Sequence, residues 1–324
     1  MRILVTGGAG YIGAITIERL LLAGHDVIAL DSLVTGHRDS VPEGAELVIG
    51  SFGDRPLVTR LLREQGIQAV LHCAARSLVG ESVAEPALYY GENVVGGVAL
   101  LDSMREAEVE RLVFSSTAAV YGIPDESPIS EDAATAPINP YGATKLAFEG
   151  AMRWYGEAYG LRAMALRYFN VAGASPTRGE RHQPETHLIP NLLAAYREGP
   201  PLTIFGTDYP TPDGTAVRDY IHVLDLADAH LAALEATASL EAGLDICNLG
   251  SGRGFSVTEV IAAAEAVVGT PVPHSRGDRR AGDPPVLVAS NDRAAERLGW
   301  RPSRGTLEEM IGSARKLLAL PSER

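Results

Sequence analysis

Tyr141 and Lys145 stand four residues apart in the stretch Asn139-Pro140-Tyr141-Gly142-Ala143-Thr144-Lys145. Asn139 suits an N-cap and Pro140 the first helical position, so a helix should begin here and project both side chains from one face. Upstream, Ser115-Ser116-Thr117 ends an apolar strand-like run, and Thr117 offers a hydroxyl that can share a proton with the tyrosine. A phenol with an ordinary pKa near 10 is a poor base at pH 7, so this trio abstracts a proton only if its surroundings stabilise the phenolate. An isolated Tyr-x-x-x-Lys is common on exposed helices. What precedes it in the chain decides its weight.

Directly after the first strand-like run comes Thr6-Gly7-Gly8-Ala9-Gly10-Tyr11-Ile12-Gly13. Gly7, Gly10 and Gly13 make Gly-x-x-Gly-x-x-Gly, a variant of the dinucleotide fingerprint. Its glycines permit a tight turn and bring backbone N–H groups to a pyrophosphate at a helix N-terminus. Asp31 ends the next strand about twenty residues on, where a carboxylate can bind the adenosine ribose hydroxyls and would repel a 2′-phosphate. That favours NAD, with His37 and Arg38 keeping NADP as the minority reading. A fixed ammonium at Lys145 and a positive nicotinamide ring together would lower the Tyr141 pKa by about three units, roughly 4 kcal/mol.

The elements that must hold these groups are legible as alternation. Arg2–Thr6, Val27–Asp31, Glu46–Ile49, Ala69–Cys73 and Arg111–Ser115 read as apolar strands. Tyr11–Ala23, Pro56–Gln65 and Ala84–Ala107 read as helices between them, followed by helix Pro140–Tyr159 and strand Arg162–Tyr168. Continuous apolar strands alternating with helices predict an α/β fold, a Rossmann-type doubly wound parallel sheet. Past Asn170 the pattern changes: residues 171–186 and 206–216 are loop-like, with helices at His187–Glu198, Asp225–Thr237, Val257–Val268, Asn291–Leu298 and Leu307–Leu318. The expected division is a dinucleotide-binding domain over 1–170, to which 225–250 return, and a smaller C-terminal α/β substrate domain over 171–324.

Composition narrows the partners. The formal net charge of −13 over 324 residues argues against nucleic acid and anionic membrane as partners, since basic surface supplies that affinity. Any phosphate site must be built locally from arginines and helix termini. The only cysteines, Cys73 and Cys247, form no disulfide framework, and no stretch approaches a membrane span or a signal sequence; a cytoplasmic location is expected. The eight histidines show no metal-ligand spacing, so no metal is expected, and His72 reads as a satisfied core residue.

With its Gly-x-x-Gly-x-x-Gly, Thr117 and Tyr-x-x-x-Lys, the chain resembles the extended short-chain dehydrogenase/reductase family. Val79-Gly80-Glu81-Ser82, Tyr168-Phe169-Asn170, and the long run from Asp208-Tyr209-Pro210-Thr211 through Val217-Arg218-Asp219-Tyr220-Ile221-His222-Val223 resemble its nucleotide-sugar 4-epimerases, as does Arg280-x-Gly282-Asp283. The resemblance implies NAD-dependent, redox-neutral epimerisation at C4 of UDP-glucose and UDP-galactose. Tyr141 takes the 4-hydroxyl proton, the hydride moves to NAD, and the 4-ketose turns over before the hydride returns. It implies cofactor contacts at Gly7, Gly10, Tyr11, Ile12, Gly13, Asp31, Ser32, Ser51, Phe52, Ala74, Ala75, Asn93 and Phe169, besides Tyr141 and Lys145. Substrate contacts are implied at Thr117, Asn170, His187, Leu188, Thr203, Phe205, Arg218, Tyr220, Arg280, Asp283 and Leu287. Asn170, Arg218 and Arg280 would hold the diphosphate and Asp283 a uridine-ribose hydroxyl.

Related dehydratases carry an Asp-Glu pair directly after this threonine, and decarboxylases a Glu; here stand Ala118 and Ala119, which cannot protonate a leaving hydroxyl. Other departures touch the cofactor. Gly50-Ser51-Phe52 replaces a Gly-Asp-Ile stretch, with Asp54 displaced, so NAD would be held less firmly and need supplying after purification. Ser77 falls where a lysine is common, with Arg76 adjacent as a substitute. Leu287 matches the position that gates sugar size, smaller than tyrosine and larger than serine, which leaves UDP-N-acetylhexosamines open. The same resemblance implies a homodimer built from helices Ala84–Ala107 and Pro140–Tyr159.

Overall fold

The computed structural model describes residues 1–197, 199–280 and 283–318. Its centre is a seven-stranded sheet in the order β10-β6-β5-β4-β1-β2-β3, every neighbouring pair parallel. The strands are β1 (Arg2–Thr6), β2 (Asp26–Asp31), β3 (Glu46–Ile49), β4 (Ala69–His72), β5 (Arg111–Thr117) and β6 (Arg162–Tyr168), with β10 (Gly243–Leu249) added from the C-terminal half. Chain order reverses direction at β1, between β4 and β2, which is the switch point where open α/β sheets bind ligands.

Alternation along each strand explains the two layers. Ile3, Val5, Val27, Ala29 and Leu71 face one way and join α1 (Tyr11–Leu22) and the later helix α8 in one core. Leu4, Ile28, Leu30, Val70 and Phe114 face the other and pack on α2 (Arg55–Glu64) and on helices between β4 and β6. That second layer departs from expectation. Instead of one helix over Ala84–Ala107 there are α3 (Val79–Ala84), α4 (Pro86–Tyr89), a wide π-helical turn over Tyr90–Gly96, and α5 (Gly97–Glu106). Pro86 cannot donate to the preceding turn and disfavours helix at Glu85, which breaks the run there. Then α6 (Pro140–Tyr159) begins as its cap chemistry predicts, Asn139 accepting from the Gly142 N–H at 2.9 Å.

The C-terminal elements are shorter. After β7 (Asn170–Ala172) come α7 (Leu188–Ala195), β8 (Leu202–Phe205), β9 (Val217–His222) and α8 (Val223–Ala236). Beyond β10 follow β11 (Gly254–Ser256), α9 (Val257–Val268), β12 (His274–Gly277), β13 (Val286–Leu287), α10 (Asp292–Leu298) and α11 (Leu307–Leu318). β9 pairs with β7 and β13 in parallel and with β11 antiparallel, while β8 pairs with β12. None of β8, β9 or β11 to β13 is long enough to announce itself by periodicity. α8 starts earlier than expected because His222 caps it, Nδ1 accepting from Leu224 N–H at 3.1 Å. α7 is shorter than the expected His187–Glu198; Glu198 lies outside the described residues, as do Gly282 and 319–324.

Candidate active site

The glycine loop closes the β1–α1 turn at the switch point. Gly7 takes φ +71°, and a Cβ there would lie 2.6 Å from the Ala74 nitrogen; a Cβ on Gly13 would lie 2.1 Å from the Gly7 oxygen. Both positions therefore require glycine. The first intrahelical bond of α1 runs from Ala14 N–H to Gly10 O at 2.9 Å, so the N–H groups of Tyr11, Ile12 and Gly13 precede the ladder and suit an anion. Asp31, 8% exposed, stands beside this turn and accepts from Ala9 N–H at 2.9 Å and Leu33 N–H at 2.8 Å. Each carboxylate oxygen keeps a lone pair for ribose hydroxyls. The loop, its exposed rim and the acid together fit an adenine dinucleotide.

The flanking residues have identifiable partners. Ala74 packs under Gly7, and Ala75 and Arg76 follow it. Asn93, on the π-helical turn, accepts from Arg76 N–H at 2.8 Å and donates to Arg76 O at 3.0 Å and to Thr144 Oγ1 at 3.1 Å. It thereby ties the loop after β4 to α6, one residue from Lys145; π turns concentrate at such functional places. Phe52 packs its ring edge on His72, centroids 4.8 Å apart. Exposed Ser51 accepts from Gly53 N–H, and Asp54 caps α2 by accepting from Leu57 N–H at 3.1 Å. Arg76 turns its guanidinium to Glu92 at 3.1 and 3.2 Å. Tyr11 donates to Gly173 O at 2.6 Å, while Ser32 is exposed.

Tyr141, 9% exposed, and Lys145, 3% exposed, share the buried face of α6 as the four-residue spacing predicts. The Thr117 hydroxyl, at the C-terminal end of β5, is the polar side-chain neighbour of Tyr141. Lys145 donates to Ser115 O at 2.8 Å, with its Nζ 4.7 Å from the Phe114 ring centroid and 5.9 Å from that of Tyr141. Burial pushes the phenol pKa up, opposed only by Thr117, and pushes the lysine down to about 8. The expected lowering of Tyr141 by the ammonium is absent from the chain alone: Lys145 leans on a carbonyl and a ring face instead of the hydroxyl. A phenolate at Tyr141 would need a further positive charge beside it, of the kind a cationic cofactor ring supplies. His72 is the core residue expected, pushed down to about 3 by burial and bonded to Thr6 Oγ1 at 2.7 Å.

Beyond the pair, Ala118 and Phe169 share a buried cluster onto which Leu287 packs. Leu287 of β13 pairs in register with Arg218 of β9, and Arg218 is ion-paired with Asp283. On the same face of β9, two residues along, Tyr220 is hydrogen-bonded to Asn170 of the neighbouring strand. Arg280 lies over the Phe205 ring at 4.1 Å, and Thr203 sits two residues before it on β8. Leu287 thus packs on the Phe169 cluster and stands opposite Arg218, while Arg280 sits on Phe205 of β8. His187 takes a different partner: its Nδ1 is 2.7 Å from Glu185 Oε1, just ahead of Leu188 at the start of α7. A further apolar cavity of about 370 Å³ lies between Tyr11, Gly173 and Leu193, and neither Tyr141 nor Lys145 lines it.

Three supporting groups escaped the sequence reading. Glu149, one turn past Lys145, forms a buried bidentate pair with Arg167 at 3.0 and 2.6 Å and accepts from Ser116 Oγ at 2.6 Å. The i, i+4 spacing from Lys145 was its only signal. Tyr168 is a half-buried neighbour of Tyr141, its pKa pushed up by desolvation. Asp219 faces away from Arg218 and accepts from Ser251 N–H and Oγ, Gly252 N–H and Ala289 N–H within 3.1 Å; burial nonetheless pushes it up to about 6.

The family model of NAD dependent epimerases and dehydratases matches residues 3–250. A UDP-glucose 4-epimerase of Corynebacterium glutamicum is 51% identical over 97% of this chain and 94% of its own length. Among solved structures, UDP-glucose 4-epimerase from Brucella ovis in complex with NAD superposes with a TM-score of 0.94, 44% identity and 97% coverage of both chains. The enzyme from Stenotrophomonas maltophila with bound NAD and formylated UDP-arabinopyranose matches with a TM-score of 0.94 at 40% identity, over 98% of this chain and 97% of that one. Switch-point loop, buried Tyr-Lys pair and near end-to-end similarity converge: this chain belongs to the NAD dependent epimerase/dehydratase family.

Proposed function

We propose that this chain interconverts UDP-glucose and UDP-galactose by epimerisation at C4, using bound NAD. The observation that carries the reading is Tyr141, buried against Thr117 with no carboxylate among the groups that set its pKa. Tyr141 withdraws the 4-hydroxyl proton while Thr117 shares it, and Lys145 holds its positive charge beside the phenol ring. Bound NAD supplies a reversible hydride acceptor, so the cycle is redox-neutral. Elimination from C6 needs an acid near the leaving hydroxyl, and Ala118 and Ala119 fill that stretch of chain.

The glycine loop, Asp31 and Ser32 would hold the adenosine diphosphate end; Ser51, Phe52, Ala74, Ala75, Asn93 and Phe169 would line the rest. Arg218 and Arg280 suit the substrate diphosphate, since guanidiniums meet phosphate oxygens bidentately. Asp283 would exchange its Arg218 partner for a ribose hydroxyl, beside Asn170 and Tyr220. Thr203, Phe205, His187 and Leu188 complete the nucleotide side. Leu287 beside Phe169 is shorter than a tyrosine and larger than a serine, so turnover of UDP-N-acetylhexosamines is a separate activity to assay.

The test is incubation with UDP-galactose, with NAD supplied, followed by NMR. UDP-glucose at equilibrium supports the reading; a 4-keto-6-deoxy product would make the chain a lyase, and inertness would overturn both. Asp31→Asn keeps the shape and removes the charge. Losing a charge-assisted bond of about 1.5–3 kcal/mol should weaken NAD by roughly 10- to 100-fold and narrow the preference over NADP. Calorimetric titration with both cofactors measures this.

The domain division is drawn near residue 170, supported by the pairing of β10 with β6 and the packing of α8 on the first core. Exposed Val83, Tyr90, Val95 and Trp154 on the α3–α6 layer favour a homodimer through that face, to be checked by light scattering. Among the described residues no helix is long and apolar enough to cross a membrane, and both cysteines are unpaired, which suits the cytoplasm.

A further inference from the structure

The loop between β7 and α7 gathers Glu180, His182, Glu185 and His187 into one cluster facing Tyr11, outside the catalytic pair. Their ligand atoms converge: one each from Glu180, His182 and His187 lie within 4.8 Å of one another. Glu180 Oε1 is 2.6 Å from His182 Nδ1, and Glu180 Oε2 is 4.0 Å from His187 Nδ1. Ligands of a tetrahedral zinc-type ion, bound at about 2.0–2.2 Å, sit roughly 3.4 Å apart, between those two separations. Glu185 Oε1, 2.7 Å from His187 Nδ1, is a fourth donor atom alongside.

The His182 Nδ1 atom is itself buried; Glu180 Oε1 stands 2.6 Å from it, without the geometry of a regular hydrogen bond. A buried ring nitrogen without a well-aligned partner is costly, and a metal ion placed among these atoms would satisfy it, replacing the His187–Glu185 hydrogen bond. The carboxylates are also held in place: Glu180 Oε1 accepts from the Arg181 and His182 N–H groups, and Glu185 Oε1 from those of Thr186 and His187. The two carboxylates raise the pKa of both imidazoles, so a divalent cation would bind by displacing the ring protons and offsetting the carboxylate charge in their place.

We propose that Glu180, His182 and His187, with Glu185 as the adjoining oxygen, form a binding site for a divalent transition-metal ion of the zinc class. Two imidazoles and carboxylate oxygens match that class and not calcium or magnesium, which take all-oxygen sets. Bound there, the ion would clamp the 180–187 loop in front of α7. The inference does not depend on the epimerase reading.

Untagged, chelator-treated full-length protein is titrated with Zn²⁺ and, for its visible spectrum, with Co²⁺. The expected result is one ion per chain, intense tetrahedral Co²⁺ bands, and affinity lowered on the order of 100-fold in His182→Ala and Glu180→Gln, at or above what loss of an outer partner costs. His182→Gln retains side-chain bulk and serves if the alanine variant misfolds by circular dichroism. Substoichiometric binding, a pale octahedral spectrum, or equal affinity in wild type and folded His182 variants would overturn the site.

Discussion

Tyr141→Phe should lower kcat by about 10³- to 10⁴-fold, the upper part of the range for a positioned general base, while leaving the fold and bound NAD intact. The substitution deletes one oxygen from a side chain that already packs at 9% exposure, so the ring keeps its contacts. Its polar neighbour Thr117 also accepts from Ala119 N–H at 3.2 Å and is not stranded. The pH dependence has a definite sign. In the chain alone the phenol pKa is raised by burial and the lysine lies at about 8, so at pH 7 they are phenol and ammonium. A cationic cofactor ring beside the phenol must reverse the first shift. Cofactor binding at pH 7 to 8 should therefore release protons, and Tyr141→Phe should reduce that release. Turnover should fall as pH drops through the lowered phenol pKa. Coupled assays across pH and calorimetry in buffers of different ionisation enthalpy read these quantities. Retention of more than a tenth of wild-type kcat would remove Tyr141 as the base.

Arg167→Met should cost about 3–5 kcal/mol of stability, which corresponds to a Tm lower by roughly 5–15 °C in cofactor-free protein. Arg167 is 3% exposed and Glu149 2%, and the pair is bidentate. Removing the guanidinium strands a buried carboxylate whose one remaining donor is Ser116 Oγ, and takes from the Tyr121 hydroxyl its donor at 2.9 Å. The desolvation of both ions is already spent in the native state, so breaking the pair is worse than replacing it. Glu149→Leu combined with Arg167→Met should recover most of the loss. Scanning fluorimetry of the two single variants and the double checks this; a single-variant shift under about 2 °C would show that water reaches the pair. Ser116 lies between Ser115, which anchors Lys145, and Thr117, which binds Tyr141. The folded fraction of Arg167→Met should accordingly show a lowered kcat with KM little changed.

The local grammar was readable wherever one element supplies all the parts. Gly7, Gly10 and Gly13 serve one turn, and Asn139, Pro140, Tyr141 and Lys145 serve the first turns of one helix, so spacing alone orders them. The same logic misled at Ala84–Ala107, where apolar periodicity runs through Pro86 and hides the π turn that aims Asn93 at the loop after β4. Periodicity reports which face is apolar, while the hydrogen-bond register inside the helix depends on what the backbone must reach. The histidines were passed over for a related reason. Glu180-x-His182-x-x-Glu185-x-His187 follows no helical ligand spacing, and only a curled loop brings it together.

What the sequence determined by itself was the glycine turn, the acid beside it at Asp31, a tyrosine and a lysine on one face of a helix, and two alanines after Thr117, because each is a short-range relation along the backbone. Only the tertiary structure decided that Thr117 meets Tyr141, that Arg218 pairs with Asp283 sixty-five residues away, that Leu287 stands opposite Arg218, and that Glu149 is buried with Arg167. Those relations join strands and helices far apart in the chain. They exist because strand pairing and helix packing bring distant stretches of chain together, and no spacing within a single element encodes them.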